Sequence, residues 1–283
     1  MDGILVINKP SGLTSRDVVN KISKLLNTKK VGHTGTLDPL ATGVLVLCIG
    51  KATKLVDVIT GTDKEYIASV KLGLLTDTLD VEGKVLEKRN CYVNKEELAS
   101  VLKSFIGKYN QEVPIYSAVK INGKKLYEYA RRNEKVNLPK REVEIKKIEL
   151  LEFSNDSYSF KVTVSKGTYI RSLIKDINDK LGVIGVMDSL KRTRQGKFKI
   201  DNAYTLEDVL NNKHKLISIK DVLKDKNCVT IDDNLFDVIK HGGIINNIYK
   251  EDYVTFIHND NVVSIYKTYD KDNTKMKPYK MFI

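Results

Sequence analysis

The pattern of apolar and polar residues divides the first part of the chain into strands and helices. GILVIN at 3–8 predicts a strand, and the uninterrupted apolar run at 43–49 predicts a buried strand. EYIASVKLG at 65–73 alternates between apolar and polar residues, as a strand with one solvated face does. A helix is predicted between the first two strands, and its apolar face consists of Val18, Val19, Ile22, Leu25 and Leu26.

The middle of the chain continues this mixture of elements. In chain order we predict a helix within 51–60, a helix over 95–106 with Asn94 as N-cap, a strand over 117–121 that leads into a turn at 122–123, a helix over 124–132, a hairpin formed by 141–153 and 157–165, and a helix over 169–182. Strands dominate and helices punctuate them. The predicted fold class is therefore α+β, with a mixed, mainly antiparallel sheet flanked by helices.

The last quarter of the chain is predicted to form a separate unit. The segment 220–227 is polar and typical of a connector, and short strands with Gly-Gly and Asn-Asp turns follow it. We therefore predict a large domain over 1–225 and a small β-rich domain over 226–283.

Charge adds a class of partner to this prediction. The 283 residues carry a formal net charge of +12, which favours a polyanionic partner, either nucleic acid or an anionic membrane surface. No apolar run is long enough to span a bilayer, and no basic segment precedes the first strand as in a secretory signal. Three scattered cysteines fit a reducing, cytoplasmic compartment, and four dispersed histidines predict no metal site.

Common nucleotide-binding and hydrolase motifs are absent, which leaves acid, base and aromatic chemistry on a basic chain. The stretch GHTGTLDPLATG at 32–43 places Asp38 in a glycine-rich bend. By position alone, Asp38 is most simply a turn or capping residue. However, a helix beginning at Pro39 would soon meet Gly43 and then the apolar run. The bend therefore also suits a carboxylate held at the mouth of a strand, where catalytic side chains often lie.

Four other positions carry candidate chemistry, and for most of them a structural interpretation is also available. His33 is either a hydrogen-bonded spacer or, between two glycines, a residue close to a ligand. Lys9 fits the end of a strand, and Tyr66 fits an aromatic residue on a strand. Arg171 is less easily explained, because a cation is unfavourable near a helix N-terminus. We therefore predict that Arg171 has a carboxylate partner elsewhere in the chain.

Seven stretches, in order along the chain, together resemble the TruB family of tRNA pseudouridine-55 synthases. They cover roughly residues 3–210 and are GILVINKPSGLTS (3–15), GHTGTLDPLATGVL (32–45), DKEYIA (63–68), LTDTLD (75–80), YSAVKINGKKLYEYAR (116–131), SKGTYIRSL (165–173) and LKRTRQGKF (190–198). The long ordered set is specific, whereas any single fragment would not be. Leu75 replaces an arginine that is common in the family, so one phosphate contact is expected to be missing.

The resemblance implies an isomerase that requires no cofactor. The reaction breaks the N1–C1′ bond of a flipped uridine, rotates the uracil and joins C5 to C1′. By resemblance, Asp38 is the catalytic carboxylate, Arg171 holds it, and Tyr66 stacks on the flipped base. His33 would fill or brace the space that the base vacates, and Lys9 would support the loop beneath.

The remaining expected site residues line the pocket or contact RNA. Tyr169 and Leu190 would line the uridine pocket. Phosphate contacts are expected from an RNA-gripping insertion at about 112–142 and from a later basic run, through Lys124, Lys125, Arg131, Arg132, Lys191, Arg192 and Arg194. Each of these cations, taken singly, is equally well explained as a solvated surface residue.

The expected partner is the T-arm stem-loop of tRNA, with uridine 55 as the target. The resemblance also implies that residues 226–283 form a short, divergent PUA-like RNA-binding domain. We expect a monomeric enzyme without an obligatory protein partner or membrane association. Two alternatives are a non-catalytic RNA-folding or assembly factor on the same scaffold and a guide-RNA-dependent relative. An aid to tRNA folding is also compatible with catalysis by the same protein. Asp38, Tyr66 and Arg171 together favour the enzyme, since a pure binding protein would not need all three.

Overall fold

The computed structural model describes residues 1–283. Its strands are β1 (Gly3–Lys9), β2 (Val31–His33), β3 (Thr42–Ile49), β4 (Lys64–Leu72), β5 (Leu74–Thr76), β6 (Val85–Lys88), β7 (Gly107–Glu112), β8 (Lys120–Ile121), β9 (Lys124–Lys125), β10 (Lys140–Phe153), β11 (Ser157–Val164), β12 (Gly185–Gln195), β13 (Phe198–Lys199), β14 (Cys228–Thr230), β15 (Ile245–Asn246), β16 (Tyr253–His258), β17 (Asn261–Tyr269) and β18 (Asp272–Met281).

The helices are α1 (Ser15–Leu25), α2 (Val56–Thr60), α3 (Lys95–Ser104), α4 (Leu126–Arg131), α5 (Ile170–Lys180), α6 (Leu206–Leu210), α7 (Ile219–Leu223) and α8 (Asp233–Lys240). Two short 3₁₀ segments, Gly50–Leu55 and Ile200–Asn202, add to them. None of the helices combines the length and the apolar character that a membrane span needs.

Nine strands form the main sheet, in the order β1-β3-β12-β4-β11-β10-β7, with β2 beside β3 and β13 beside β12. Every neighbouring pair is antiparallel except β3 and β12. The predicted fold class, α+β with a mixed and mainly antiparallel sheet, is confirmed. The hairpin turn at 155–156 and the N-cap at Asn94 are confirmed as well.

The two halves of the main sheet are buried differently. Along β4, buried and partly exposed residues alternate, so only one face of that strand is covered. β1 and β3 are buried on both faces. One face of these two strands packs into the main core. On the other face, Ile4, Val6, Val44 and Val46 pack in a second core that contains residues from the end of the chain, among them Phe282. The C-terminal residues therefore cover the back of the β1–β3 half of the sheet.

A five-stranded sheet in the order β14-β16-β17-β18-β15 and helix α8 make up the C-terminal unit. The polar connector predicted at 220–227 is wrong in part, because helix α7 extends into it. Val222 and Leu223 on this helix are buried in the second core. Because charged residues flank this pair in the sequence, the pattern does not reveal that Val222 and Leu223 pack between the two sheets.

Charge is distributed unevenly between the two units. Residues 226–283 contain eight lysines and no arginine, against seven aspartates and one glutamate, so they carry no net charge. The whole formal excess of +12 therefore belongs to residues 1–225. The charge distribution therefore favours a phosphate-binding surface on the large unit.

Strand β12 is the main element that the sequence pattern does not predict, although it lies at the centre of the main sheet. Two irregularities in its pairing with β4, between Met187 and Ser189 and between Arg192 and Arg194, interrupt the alternation of buried residues. The strand also buries Arg192 and Gln195, which a pattern of apolar residues cannot show. The strand predicted at 117–121 shrinks to the two residues of β8, which pair with β9 around the Asn122–Gly123 turn.

Candidate active site

The site lies at a gap along one side of β3. On that side β2 pairs with the end of β3, from Leu47 to Ile49, and β12 pairs only with Thr42 and Gly43. Between these two pairings the chain leaves the sheet as the loop 34–41, which we call the catalytic loop. Gly43 has a φ of +97°, and a Cβ atom there would lie 2.2 Å from the Arg192 carbonyl oxygen, so only glycine allows β12 to approach this closely.

Asp38 on the catalytic loop forms a two-point ion pair with Arg171 at the start of α5. The Arg171 Nε atom lies 3.0 Å from Oδ2, and Nη2 donates to Oδ1 at 3.2 Å. The Arg171 side chain is 7% exposed and the Asp38 side chain is 33% exposed. The carboxylate is therefore partly open to solvent, and the guanidinium that binds it is buried. The predicted carboxylate partner of Arg171 is confirmed. No backbone N–H binds the Asp38 carboxylate, which argues against a capping role.

Arg171 also donates hydrogen bonds to two backbone carbonyls. Its Nη1 donates to Thr78 O and its Nη2 to Tyr116 O, both at 3.0 Å. Thr78 belongs to the LTDTLD turn, and Tyr116 lies at the base of the insertion. The Tyr116 hydroxyl also donates to Asp77 at 3.1 Å, so these two segments are linked. A guanidinium held by three partners can keep Asp38 in one orientation.

The backbone of the catalytic loop is held almost throughout. Six of the seven carbonyl oxygens from 34 to 40 accept hydrogen bonds: Thr34 from Gln195, Gly35 from Arg192, Leu37 from Ser15, Asp38 from the Ala41 N–H, Pro39 from Lys9 and the Gly12 N–H, and Leu40 from Ser11. The Ser15 hydroxyl also accepts from the Leu37 N–H at 2.8 Å, so it holds both sides of the residue before Asp38.

Lys9 is fully buried beneath this loop. Its Nζ donates to the carbonyls of Pro10, Leu13 and Pro39 at 2.6–3.1 Å, and so it joins the end of β1 to the residue after Asp38. Burial lowers the Lys9 pKa to about 8, while the negative charge of Asp38 opposes this shift. These contacts agree with the expected support of the loop.

His33 lies at the end of β2, partly buried, immediately before the catalytic loop. Burial lowers its pKa, and the nearby charges of Arg16 and Arg192 lower it further. The Gly35 N–H points at its Nδ1 over a long 3.4 Å. The lowered pKa favours the neutral imidazole, which does not attract phosphate as a cation would.

The three expected pocket residues lie on elements around the loop. Tyr66 and Leu190, on neighbouring strands β4 and β12, are 6% and 7% exposed and pack in the main core together with Leu37 of the loop. Tyr169 is the N-cap of α5. Both its N–H and its carbonyl bind the side chain of Gln111 on β7, at 2.8 and 3.1 Å.

Six of the seven cations expected to contact RNA are accessible or partly accessible. In the insertion, Lys124 and Lys125 lie over the rings of Tyr129 and Tyr127 at 4.3 and 5.3 Å, and Lys124 also pairs with Glu134. The Arg131 guanidinium lies 5.3 Å from the Tyr127 ring, whereas the Arg132 side chain is 70% exposed. On β12, Lys191 is exposed and Arg194 is partly exposed.

The seventh cation, Arg192, is not available to RNA, and the prediction that it contacts phosphate is wrong. It is 1% exposed, and its guanidinium donates to Val44 O at 2.6 Å and to Gly35 O at 3.1 Å. The error arises because a basic run on an unrecognised strand points its residues to different sides.

The sequence does not reveal the residues that act through the backbone. Ser15, Gln111 and Gln195 are 2%, 1% and 0% exposed, and each binds a main-chain group of the site. Ser15 and Gln195 lie within the stretches that resemble the TruB family, but their residue types alone indicate no partner. Gln111 on β7 lies outside those stretches and carries no sequence signal.

Two family models match the chain. The N-terminal domain model of the TruB family of pseudouridylate synthases matches residues 23–170, and the C-terminal domain model of tRNA pseudouridylate synthase B matches residues 171–232. The border between the two matches falls inside the main sheet, since β12 in the second match pairs with β3 and β4 in the first.

Similar proteins cover the chain from end to end. The tRNA pseudouridine synthase B of Clostridioides difficile (strain 630) is 42% identical, over all of both chains. That of Fusobacterium nucleatum is 49% identical over 71% of this chain and 70% of that protein. Among solved structures, a chain of a Cbf5-Nop10-Gar1 complex matches with a TM-score of 0.75 and 28% identity. This match covers 99% of the present chain and 85% of the solved one.

Proposed function

The chain belongs to the TruB family of pseudouridylate synthases, and from that membership we propose that it isomerises uridine 55 in the T-arm loop of tRNA. It converts uridine in tRNA to pseudouridine, as the names of its relatives state. The observation that carries the assignment of the site is the two-point ion pair between Asp38 and Arg171. This pair puts an accessible carboxylate, held from behind, at a gap in the sheet.

Asp38 is proposed to act on the ribose of the flipped uridine. As charge develops at C1′ during cleavage of the N1–C1′ bond, a fixed carboxylate attacks or stabilises that carbon. The uracil then turns and C5 bonds to C1′. C5 loses its proton and N1 gains one, so the reaction is balanced without a cofactor. Arg171 keeps the carboxylate aimed, and it shares its remaining donors with two carbonyls that do not change during the reaction.

The flipped base is proposed to lie against Tyr66, with Tyr169 and Leu190 along its sides. Stacking on an aromatic side chain compensates part of the cost of removing the base from the RNA stack. His33 is proposed to brace the vacated position, where a neutral ring suits contact with bases. The exposed cations of the insertion and of β12 would bind the phosphates around the loop.

We also propose a division of the chain into a catalytic unit over 1–225 and a small unit over 226–283. The small unit carries no net charge, so electrostatics give no support for an RNA-binding role there. Its burial of β1 and β3 supports a role in holding the catalytic sheet.

The assignment is tested with purified protein and an unmodified T-arm stem-loop, followed by mapping of pseudouridine at single-nucleotide resolution. We expect one modified site, at position 55, without added guide RNA or partner protein. A stem-loop with cytidine at that position is the matched control. Modification at another uridine would contradict the proposed position. No product with either the stem-loop or full-length tRNA would contradict the proposed activity.

A further inference from the structure

The gap beside β3 leaves main-chain acceptors without strand partners. β1 pairs with β3 along one side, from Gly43 to Ile49, whereas the other side has no strand next to residues 44–46. The Val46 carbonyl there accepts from the Thr34 N–H at 3.1 Å. The Val44 carbonyl accepts from the Arg192 side chain instead. One side chain therefore replaces a missing strand pairing at the place where the catalytic loop leaves the sheet.

Arg192 spans this gap with two donors. Nε binds Val44 on β3, and Nη2 binds Gly35, three residues before Asp38. Lys9 holds Pro39, the residue after Asp38. The loop is thus fixed on both sides of the carboxylate. A lysine at position 192 has a single terminal nitrogen on a flexible stem, and it lacks the planar fork that reaches both carbonyls.

The environment of Arg192 is unusual for a purely structural residue. Its guanidinium binds two carbonyls and no carboxylate, whereas the other buried arginine, Arg171, is paired with Asp38. Two further buried cations lie near it, Lys9 and Lys64, and the Arg192 charge contributes to the lowered pKa of each. Burial of a cation without an acid partner is costly, and an apolar side chain would avoid that cost.

We propose that Arg192 is a positioning residue for the reaction, which sets the place of Asp38 by joining the Gly35 and Val44 carbonyls across the gap in the sheet. It touches neither substrate nor the reacting atoms. Its loss would let the first half of the loop shift and move Asp38 relative to Arg171 and C1′. Small displacements of a reacting group cost rate much more than they cost binding. This inference rests on the proposed role of Asp38.

The test is Arg192→Lys, with Arg192→Gln as a second variant and Arg89→Lys as the matched control. Arg89 is half-exposed on the surface and pairs only with Glu87 at 3.5 Å. Single-turnover rate constants are measured with enzyme in excess over the T-arm stem-loop, because an inactive fraction of enzyme then leaves the rate constant unchanged. The dissociation constant is measured separately. All proteins are compared at a temperature where circular dichroism shows each of them folded.

We expect the rate constant of Arg192→Lys to fall about 10- to 100-fold, with the dissociation constant within about twofold of native, and Arg192→Gln to behave alike. Arg89→Lys should match the native protein in both. An unchanged rate constant in both Arg192 variants would overturn the inference, and so would a loss of binding as large as the loss of rate. Asp38→Asn is measured in parallel. If that variant keeps its activity, the proposed site itself fails, whichever result Arg192 gives.

Discussion

The catalytic loop and the insertion that we propose to grip RNA are built in opposite ways. Six carbonyls of the loop 34–41 are bound, five of them by donors from β1, α1, β12 and the turn after β1. The insertion between β7 and β10 contains only a hairpin of two-residue strands and the six-residue helix α4. Its basic side chains rest on its own tyrosines, pair with Glu134 or lie in solvent.

This difference indicates a division of labour. The proposed action of Asp38 on one carbon atom requires a carboxylate held within a fraction of an ångström, and the many partners of its loop meet that requirement. Side chains that hold phosphates gain from freedom to adjust, because an RNA backbone varies in shape. Changes near the loop should therefore alter the rate constant, and changes in the insertion should alter affinity.

Apart from Asp38 itself, Arg171→Lys should have the largest effect. A lysine cannot bind both carboxylate oxygens and the carbonyls of Thr78 and Tyr116 at once. We expect the single-turnover rate constant to fall about 100-fold or more, with binding of tRNA reduced much less. Equal losses in rate and binding would show that Arg171 contacts RNA. Arg171 would then belong with the residues that control affinity and not with those that position Asp38.

Ser15→Ala should have a smaller effect, of about tenfold on the rate constant, because it removes the hydroxyl that binds both main-chain groups of Leu37. Ser11→Ala is the matched control, since the Ser11 hydroxyl makes a single bond to Leu40 O at an exposed position. We expect less than about a threefold change there. Equal effects of both variants would mean that the number of bonds to the loop does not control its position.

The insertion provides the opposite case. Arg132→Gln and Lys125→Gln should each weaken tRNA binding several-fold and reduce the salt dependence of binding, by about one unit of slope for each phosphate that is no longer bound. The rate constant at saturation should stay near that of the native protein. Affinity is measured at several salt concentrations. A fall in the saturating rate constant without a change in affinity would contradict this prediction, because it would show that the insertion acts on the chemical step and not on RNA binding.

The smallest effect is expected from pH. As pH rises through about 8, Lys9 loses a proton, and its neutral amine has only two hydrogens for three carbonyl acceptors. The loop should loosen slightly, and the rate constant should decline by a few-fold above that pH. Rate constants measured from about pH 6.5 to about pH 9.5, on both sides of the lowered Lys9 pKa, follow this decline. Lys9→Met should lack it, and a decline of the same size in this variant would assign it to another group.

The sequence indicates Asp38 and Arg171 more clearly than it indicates the structure around them. Arg171 can be found because a cation at a helix start lacks an obvious local partner, whereas Asp38 is identified through the resemblance to the TruB family, since its position alone also fits a turn residue. The strands β1, β3 and β4 follow from their apolar patterns. β12 does not, because bulges and buried polar residues obscure its alternation, and the sequence misplaces Arg192 on the RNA-binding surface for that reason.

The contacts that hold the loop could not be predicted. They join side chains to main-chain carbonyls across 22 to 161 positions of sequence, as from Ser15 to Leu37 and from Gln195 to Thr34. Any residue offers such a carbonyl, so only the folded chain shows which one is reached. The sequence also does not show that the C-terminal unit covers β1 and β3. An apolar strand indicates burial on both faces, but it does not indicate which residues lie against the second face.

The central claim is that the catalytic loop determines chemistry and does not determine RNA affinity. The most direct measurement compares native protein and Asp38→Asn for binding of the T-arm stem-loop and for pseudouridine formation under single-turnover conditions. We predict that Asp38→Asn binds the stem-loop with native affinity, within about twofold, and forms no detectable pseudouridine. Product formed at an undiminished rate by Asp38→Asn, or loss of stem-loop binding in a folded variant, would contradict the account.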